Sequence, residues 1–161
     1  MASPAGPILS LAQTLRDQLR TAAEAAYPEE CCGLIIGRQV PPPAGKGPPR
    51  YAATRLVAAA NLHAEPRIAF ELDPATHFRV LRELRHAAGE ATAECLLGHY
   101  HSHPEGPAVP SARDRRQVTE PEKIWVIIGL AQGRVQAITA WQAPAAADAD
   151  FTAVTLAADP A

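Results

Sequence analysis

The sequence predicts a single α/β domain in which three layers, α/β/α, are built around a mixed β-sheet. Two observations carry this expectation. The periodic segments run helix, strands, helix, strands, and one strand ends in a set of metal-ligating residue types. The 161-residue length suits one domain and suffices to bury about two thirds of the extended surface, so neither disulfides nor a structural metal is needed to fold it.

Taken in order, Ile8, Leu11, Ala12, Leu15, Leu19, Ala22 and Ala23 recur at helical period, so one amphipathic helix is expected over 8–26, ending before Pro28. Residues 32–40 read as a buried strand. The Pro-rich run 41–49 is a stiff, exposed connection, read as a long hairpin loop in preference to a ligand for a proline-binding module. A second strand covers Tyr51 to Ala60, and a short one Arg67 to Leu72. Pro74 opens a helix at its first position, running through Phe78, Leu81 and Leu84 to about Ala88, with Gly89 as the stop. Glu94 to His101 is the strand bearing the histidines, and Ser111 to Val118 a helix. Lys123 to Leu130 and Arg134 to Gln142 form a hairpin through Ala131-Gln132-Gly133, with Trp125 and Trp141 in or beside the core. Residues 1–142 are thus read as the working domain. Within 143–161, an Ala/Asp-rich linker leads to a last strand over Phe151 to Leu156 and a tail with little to bury.

The chemistry concentrates in His101-Ser102-His103-Pro104, followed by Ser111 and Asp114. Residues two apart on a strand share a face, so His101 and His103 can reach one ion. The ten residues before Asp114 include Pro104, Gly106, Pro107 and Pro110, turn formers that can bring the carboxylate back. Two nitrogens and one oxygen leave a coordination position open, as hydrolytic zinc sites do; iron or manganese remain open to the same donors. A lone His-x-His is more often a hydrogen-bonded pair on a solvated face, but the added loop, Ser and Asp favour the metal. Ser111 is a plausible helix N-cap. His99 would share the face of a regular strand, yet only 101 and 103 give the ten-residue interval, so His99 is read as a pocket-lining or outer residue. His63-Ala64-Glu65 matches half of a deaminase zinc motif, but the Pro-Cys-x-x-Cys that would complete it is missing.

These residues resemble the JAMM or MPN-plus metalloprotease family, in which a glutamate lies well upstream of His-x-His, ten residues and Asp, with a Ser three before that Asp. The upstream segment Tyr27-Pro28-Glu29-Glu30-Cys31-Cys32-Gly33-Leu34-Ile35-Ile36-Gly37 is similar to the family's, and alignment on Cys32-Gly33 makes Glu30 the counterpart of its catalytic glutamate, with Glu29 a solvated neighbour. Asn61 and Phe70-Glu71-Leu72-Asp73-Pro74 resemble its middle segment. The likeness spans about residues 8 to 141. It implies a cytidine-deaminase-like fold of the JAB1/MPN kind and Zn2+ held by His101, His103 and Asp114. It also implies Glu30 as general base and acid, and Ser111 as a donor to the tetrahedral intermediate. Such a zinc ion polarises a carbonyl and lowers the pKa of a water to about 7. The implied activity is hydrolysis of an amide or isopeptide bond at the carboxyl end of a ubiquitin-like or sulfur-carrier protein, by a stand-alone bacterial form. Two alternatives stand beside it: a non-catalytic MPN-type interaction module, disfavoured by the joint presence of Glu30, His101, His103, Ser111 and Asp114, and a hydrolase of small or cell-wall peptides.

Composition narrows the partners. A formal net charge of −2, with both signs interspersed, offers no footprint for nucleic acid. Arg113, Arg115 and Arg116 form the densest basic cluster, read as a solvated helix face or, less readily, a dock for an acidic protein. Three cysteines cannot all pair, and the adjacent Cys31 and Cys32 are unsuited to each other, so reduced thiols in a cytoplasmic protein are expected. No apolar run approaches the ~20 residues of a membrane span, and no secretion signal is visible at the amino terminus. Oligomeric state leaves no mark in the sequence.

Overall fold

The computed structural model describes residues 6–89 and 93–158. Its elements are β1 (Ile8–Ser10), α1 (Gln13–Ala26), β2 (Cys32–Val40), β3 (Arg50–Ala59), α2 (Pro74–His86), β4 (Cys95–His103), α3 (Ala112–Arg116), β5 (Ile124–Ala131), β6 (Arg134–Gln142) and β7 (Thr152–Ala157). The seven strands form one mixed sheet in the order β1-β3-β2-β4-β5-β6-β7, and the sheet closes on itself because β1 pairs in parallel with both β3 and β7. Among the described residues the one other parallel pair is β4–β5.

The three layers follow from which side chains each strand turns to which face. Ile35, Leu97, Tyr100, Val126, Ile128 and Leu130 meet Leu15, Leu19 and Ala23 of α1 on one face. Leu34, Ile36 and Leu96 meet Val80 of α2 on the other. Each fully buried Leu or Ile contributes about 1.5–3 kcal/mol, and Leu19, Ile35, Val126 and Ile128 are all 0% exposed, so the α1 face carries most of the core.

Two expectations give way to the fold. The helix expected from residue 8 begins at Gln13, because Ile8–Ser10 fill the gap between β3 and β7: Ile8 registers with both Arg50 and Thr155. Leu9 and Leu11 are fully buried in either reading, and only the partner strands decide. The strand expected over 67–72 is a turn with a single bridge, Asn61 to Leu72. The Asn61 side chain replaces ladder bonds there: its amide donates to the carbonyls of Glu30 and Ala69, and its oxygen accepts from the N–H groups of His63 and Glu71. The remaining strands and α2 fall within a few residues of their expected bounds. Asp73 caps α2 by accepting from the N–H groups of Ala75 and Thr76, with Pro74 in the first turn. The 41–49 connection is exposed along almost its whole length and contains one 3-10 turn, Pro43–Gly45. Residues 159–161 of the expected tail lie outside the described residues; β7 itself bridges β6 and β1.

One irregularity in β4 places the histidines. The register between β2 and β4 shifts so that Ile35 faces Gly98 and Ile36 faces Leu96, leaving Leu97 as an extra residue. After this bulge His99, His101 and His103 share the face opposite α1, while Tyr100 and Ser102 turn the other way. Gly98 is required at that point: a Cβ there would lie 1.7 Å from the carbonyl oxygen of Ile124 on the parallel neighbour.

Candidate metal centre

His101 and His103 reach the end of β4, and Asp114 returns to them from the first turn of α3. The Nε2 of His101 is 3.0 Å from Asp114 Oδ1, the Nε2 of His103 is 3.2 Å from Asp114 Oδ2, and the two Nε2 atoms are 3.1 Å apart. Three donor atoms thus converge on one point, and among the described residues this is the one group of three or more His, Cys, Asp or Glu placed to hold a metal ion. His101 is fully buried and Asp114 nearly so. A neutral imidazole and a carboxylate are the forms a metal needs.

The surroundings favour those forms at Asp114 and His101. Burial would raise the Asp114 carboxyl, but hydrogen bonds from His101, His103 and the Ser111 N–H hold it far below the ordinary carboxylate range. Burial lowers His101 despite Asp114. Burial also works to lower His103, yet its bonds to Asp114 and to the Pro107 carbonyl, 2.8 Å from Nδ1, leave it raised. With Nδ1 donating to that carbonyl, Nε2 is the nitrogen that faces Asp114 and, once its proton is lost, offers a lone pair to a metal. The loop carrying Pro107 is tied down in turn. Glu105 accepts from the Tyr27 hydroxyl and from the Gln132 N–H, the Thr139 hydroxyl and the Trp141 indole donate to the Ala108 carbonyl, and Arg115 donates to that of Pro110.

Glu30 sits just before β2 and is 8% exposed, whereas Glu29 is exposed. Burial, opposed by the charge on His103 and reinforced by that on Asp114, pushes its carboxyl up to about 7. Both residues of the cluster therefore act on Glu30 through space. Its backbone is fixed on both sides, the N–H donating to Pro66 and the carbonyl accepting from Asn61.

Ser111 caps α3: its Oγ accepts from the Asp114 N–H at 3.0 Å while Asp114 Oδ2 accepts from the Ser111 N–H at 2.7 Å. This capping box orients the carboxylate toward the histidines. The cap uses a lone pair of Oγ, so the hydroxyl proton stays free to donate elsewhere, and capping does not compete with such donation.

Several neighbours were not legible beforehand. Ser102, fully buried, accepts from the Cys31 N–H at 2.8 Å and so ties the Glu30 segment to the histidine strand; its alternation with the two histidines was the available signal. Phe70 stacks on His101 with centroids 4.5 Å apart, and Trp125 packs on His99 at 4.2 Å. His99 lies outside the cluster, and burial, with the charge on His101, drives it down to about 3. His63 and Glu65 lie on the loop after β3 and are not members of the donor cluster, with Glu65 N–H donating to His63 Nδ1. Of the arginines, Arg115 pairs with Asp150 at 2.9 Å. Cys31, Cys32 and Cys95 are all free thiols, and Cys32 is buried at the β2–β3 junction.

Residues 12–143 match the model of a family described as prokaryotic homologs of the JAB domain. The desampylase of Haloferax volcanii is 35% identical over 127 residues, covering 74% of this chain and 78% of that protein. A probable TtuB-protein conjugate cleaving protease of Thermus thermophilus is 30% identical over 112 residues, 70% of this chain; the match spans 64% of that relative, a little under two thirds of its length. A solution structure of a Desulfitobacterium hafniense protein superposes with a TM-score of 0.71 at 25% identity, covering 94% of both chains.

Proposed function

The chain belongs to the prokaryotic JAB-domain family, and on that premise we propose that it is a zinc-dependent isopeptidase acting at the carboxyl end of a ubiquitin-like or sulfur-carrier protein. The observation that carries the reading is the convergence of His101, His103 and Asp114 on one point beside a buried Glu30 whose carboxyl is poised near neutral pH. The names of two relatives, a desampylase and a probable conjugate cleaving protease, support the class of bond and of substrate.

The donor set fits zinc: His101 and His103 offer Nε2, Asp114 offers a carboxylate oxygen, and three protein ligands leave room for a water or a substrate carbonyl. When bound, zinc would supply Lewis acidity and an acidified water. The chain's own residues do the rest. Glu30, in its ionised form, takes a proton from the attacking water and then gives it to the leaving amine; a pKa matched to the operating pH is what both halves of that task need. Ser111 donates its free hydroxyl proton to the oxygen that becomes negative when the carbonyl is attacked. Asp114, held ionised by its neighbours, keeps the histidine nitrogens aimed inward, and the Phe70 ring on His101 keeps bulk water off that imidazole.

The test is cleavage of a ubiquitin-like protein joined through its terminal carboxyl to a lysine side chain, by zinc-loaded wild type and by Glu30→Gln. Wild type should release the intact ubiquitin-like protein, and the variant should bind zinc without turnover. Cleavage of small or cell-wall peptides alone would move the substrate class. Tight binding of the conjugate with no cleavage of any amide would make the chain an interaction module.

A further inference from the structure

A cavity of about 450 Å³ opens beside the metal centre on the face of the sheet that α2 covers. Its walls include Leu34, Phe70, Leu96, Trp125 and His63 of the loop after β3, and two further imidazoles, His77 of α2 and His99 of β4, line it as well. The Nε2 atoms of both are buried, and neither has a hydrogen-bond partner among the described residues. A buried polar nitrogen calls for a partner, and neither imidazole has a part in the proposed reaction. Their other neighbours do not resolve the matter. Glu120 stays 3.9 Å from His77 Nε2, beyond hydrogen-bond reach, and Lys123 is spent on the Leu96 carbonyl at 2.8 Å.

We propose that this cavity is a binding site for an aromatic ring bearing a hydroxyl, the ring lying among Phe70, Leu96 and Trp125 and the hydroxyl exchanging hydrogen bonds with His77 and His99. The volume and apolar walls suit one ring with a short attachment. A hydroxyl both donates and accepts, so it satisfies one imidazole nitrogen in its acceptor tautomer and another in its donor tautomer, which neither a cation nor a carboxylate does. Glu71 and Glu120 at the walls weigh against an anionic ligand. The same chemistry arrives from two sources, a tyrosine side chain of a polypeptide or a free phenol. The occupant would press on Phe70 and His99, whose rings lie 4.5 and 6.1 Å from that of His101, so its binding is felt at the metal centre. The inference goes beyond the isopeptidase reading and is tested by binding alone, so either can fail without the other.

The experiment follows imidazole proton–nitrogen NMR shifts of the full zinc-loaded chain during titration with p-cresol and with N-acetyl-tyrosinamide, each against its partner lacking the hydroxyl, toluene and N-acetyl-phenylalaninamide. The hydroxyl compounds should bind saturably, with a dissociation constant on the order of 1 mM for ligands this small. Their counterparts should bind about 10-fold more weakly, the loss expected when a built polar site is left unpaired. His77→Phe, outside the metal-ligating cluster, should abolish that preference while leaving zinc content unchanged and the melting temperature no lower. Binding of both hydroxyl compounds supports a tyrosine-bearing polypeptide, and binding of p-cresol alone supports a free phenol. Equal affinity with and without the hydroxyl, no saturable shift at His77 or His99, or an unaltered preference in His77→Phe would overturn the proposal and leave the cavity a water-filled groove.

Discussion

At Ser111 one oxygen faces two demands of opposite sense: it accepts from the Asp114 N–H as a helix cap, and on the proposed mechanism it donates to the substrate oxygen. The two are separable by substitution. Ser111→Ala should cost about 1 kcal/mol of stability and about 10²–10³ in kcat, whereas Ser111→Asp, which still caps but has no proton to give, should recover most of the melting temperature and none of the turnover. Glu30 carries a second test. Its carboxyl is raised from 4.5 to about 7 by burial, so the folded protein favours its protonated form. The stability it contributes is complete below the unfolded pKa and is lost as pH rises through the folded one. Metal-free Glu30→Gln should therefore melt higher than wild type at pH 8, by up to about 3 kcal/mol in stability, and match it near pH 4. The same substitution should lower kcat by about 10²–10⁴ with zinc retained. A melting temperature unchanged at both pH values would mean that Glu30 is not buried as drawn. At this scale the sequence was most legible: the residue types and the ten-residue interval between His103 and Asp114 marked the cluster. Ser102, Phe70 and the Pro107 carbonyl gave no comparable sign, because a buried serine, a phenylalanine and a main-chain oxygen look alike in any sequence until their neighbours are known.

Among the elements, α2, β2, β3, β5 and β6 were readable because periodicity and caps agreed, as at Asp73-Pro74, where cap and first-turn proline coincide. β1 was not. Its three residues carry apolar side chains that fit a helical stripe equally well, and they become a strand only because β3 and β7 present unpaired edges on either side. The β4 bulge was equally invisible, yet without the extra Leu97 residue the pairing register that sets Leu96 against Ile36 and His99 against Leu34 would be lost. β7 offers the element-scale prediction. A chain ending at Gln142 would leave β1 paired on one side only and the Val154 side chain missing from the α1 core. We expect that chain to lose its cooperative melt and to aggregate through the exposed edges, as judged by calorimetry and light scattering; an intact melt would show that β7 is dispensable to the domain.

For the whole molecule, the proposed zinc site links stability to metal and to pH. Zinc that binds only the folded chain should raise its stability by about 2.7 kcal/mol at a free concentration 100 times the dissociation constant, and chelation should reverse the gain. Because His103 is raised above its ordinary value by Asp114 and the Pro107 carbonyl, protons compete with the ion. Zinc affinity, followed by isothermal titration, should therefore weaken as pH falls through the His103 pKa, and a pH-independent affinity would remove His103 from the ligand set. The sequence by itself determined the layer order, the strand that bears the histidines and the His101, His103 and Asp114 set that converges at its end, since these depend on period, turn chemistry and residue type, all local properties of the chain. Only the tertiary structure decided that the sheet closes through β1, that Glu30 is buried enough to hold its proton near neutral pH, and that a cavity with two unpaired imidazoles lies beside the cluster. Each of those depends on contacts between segments far apart in the chain, where register, desolvation and the shape of empty space are set by the partners.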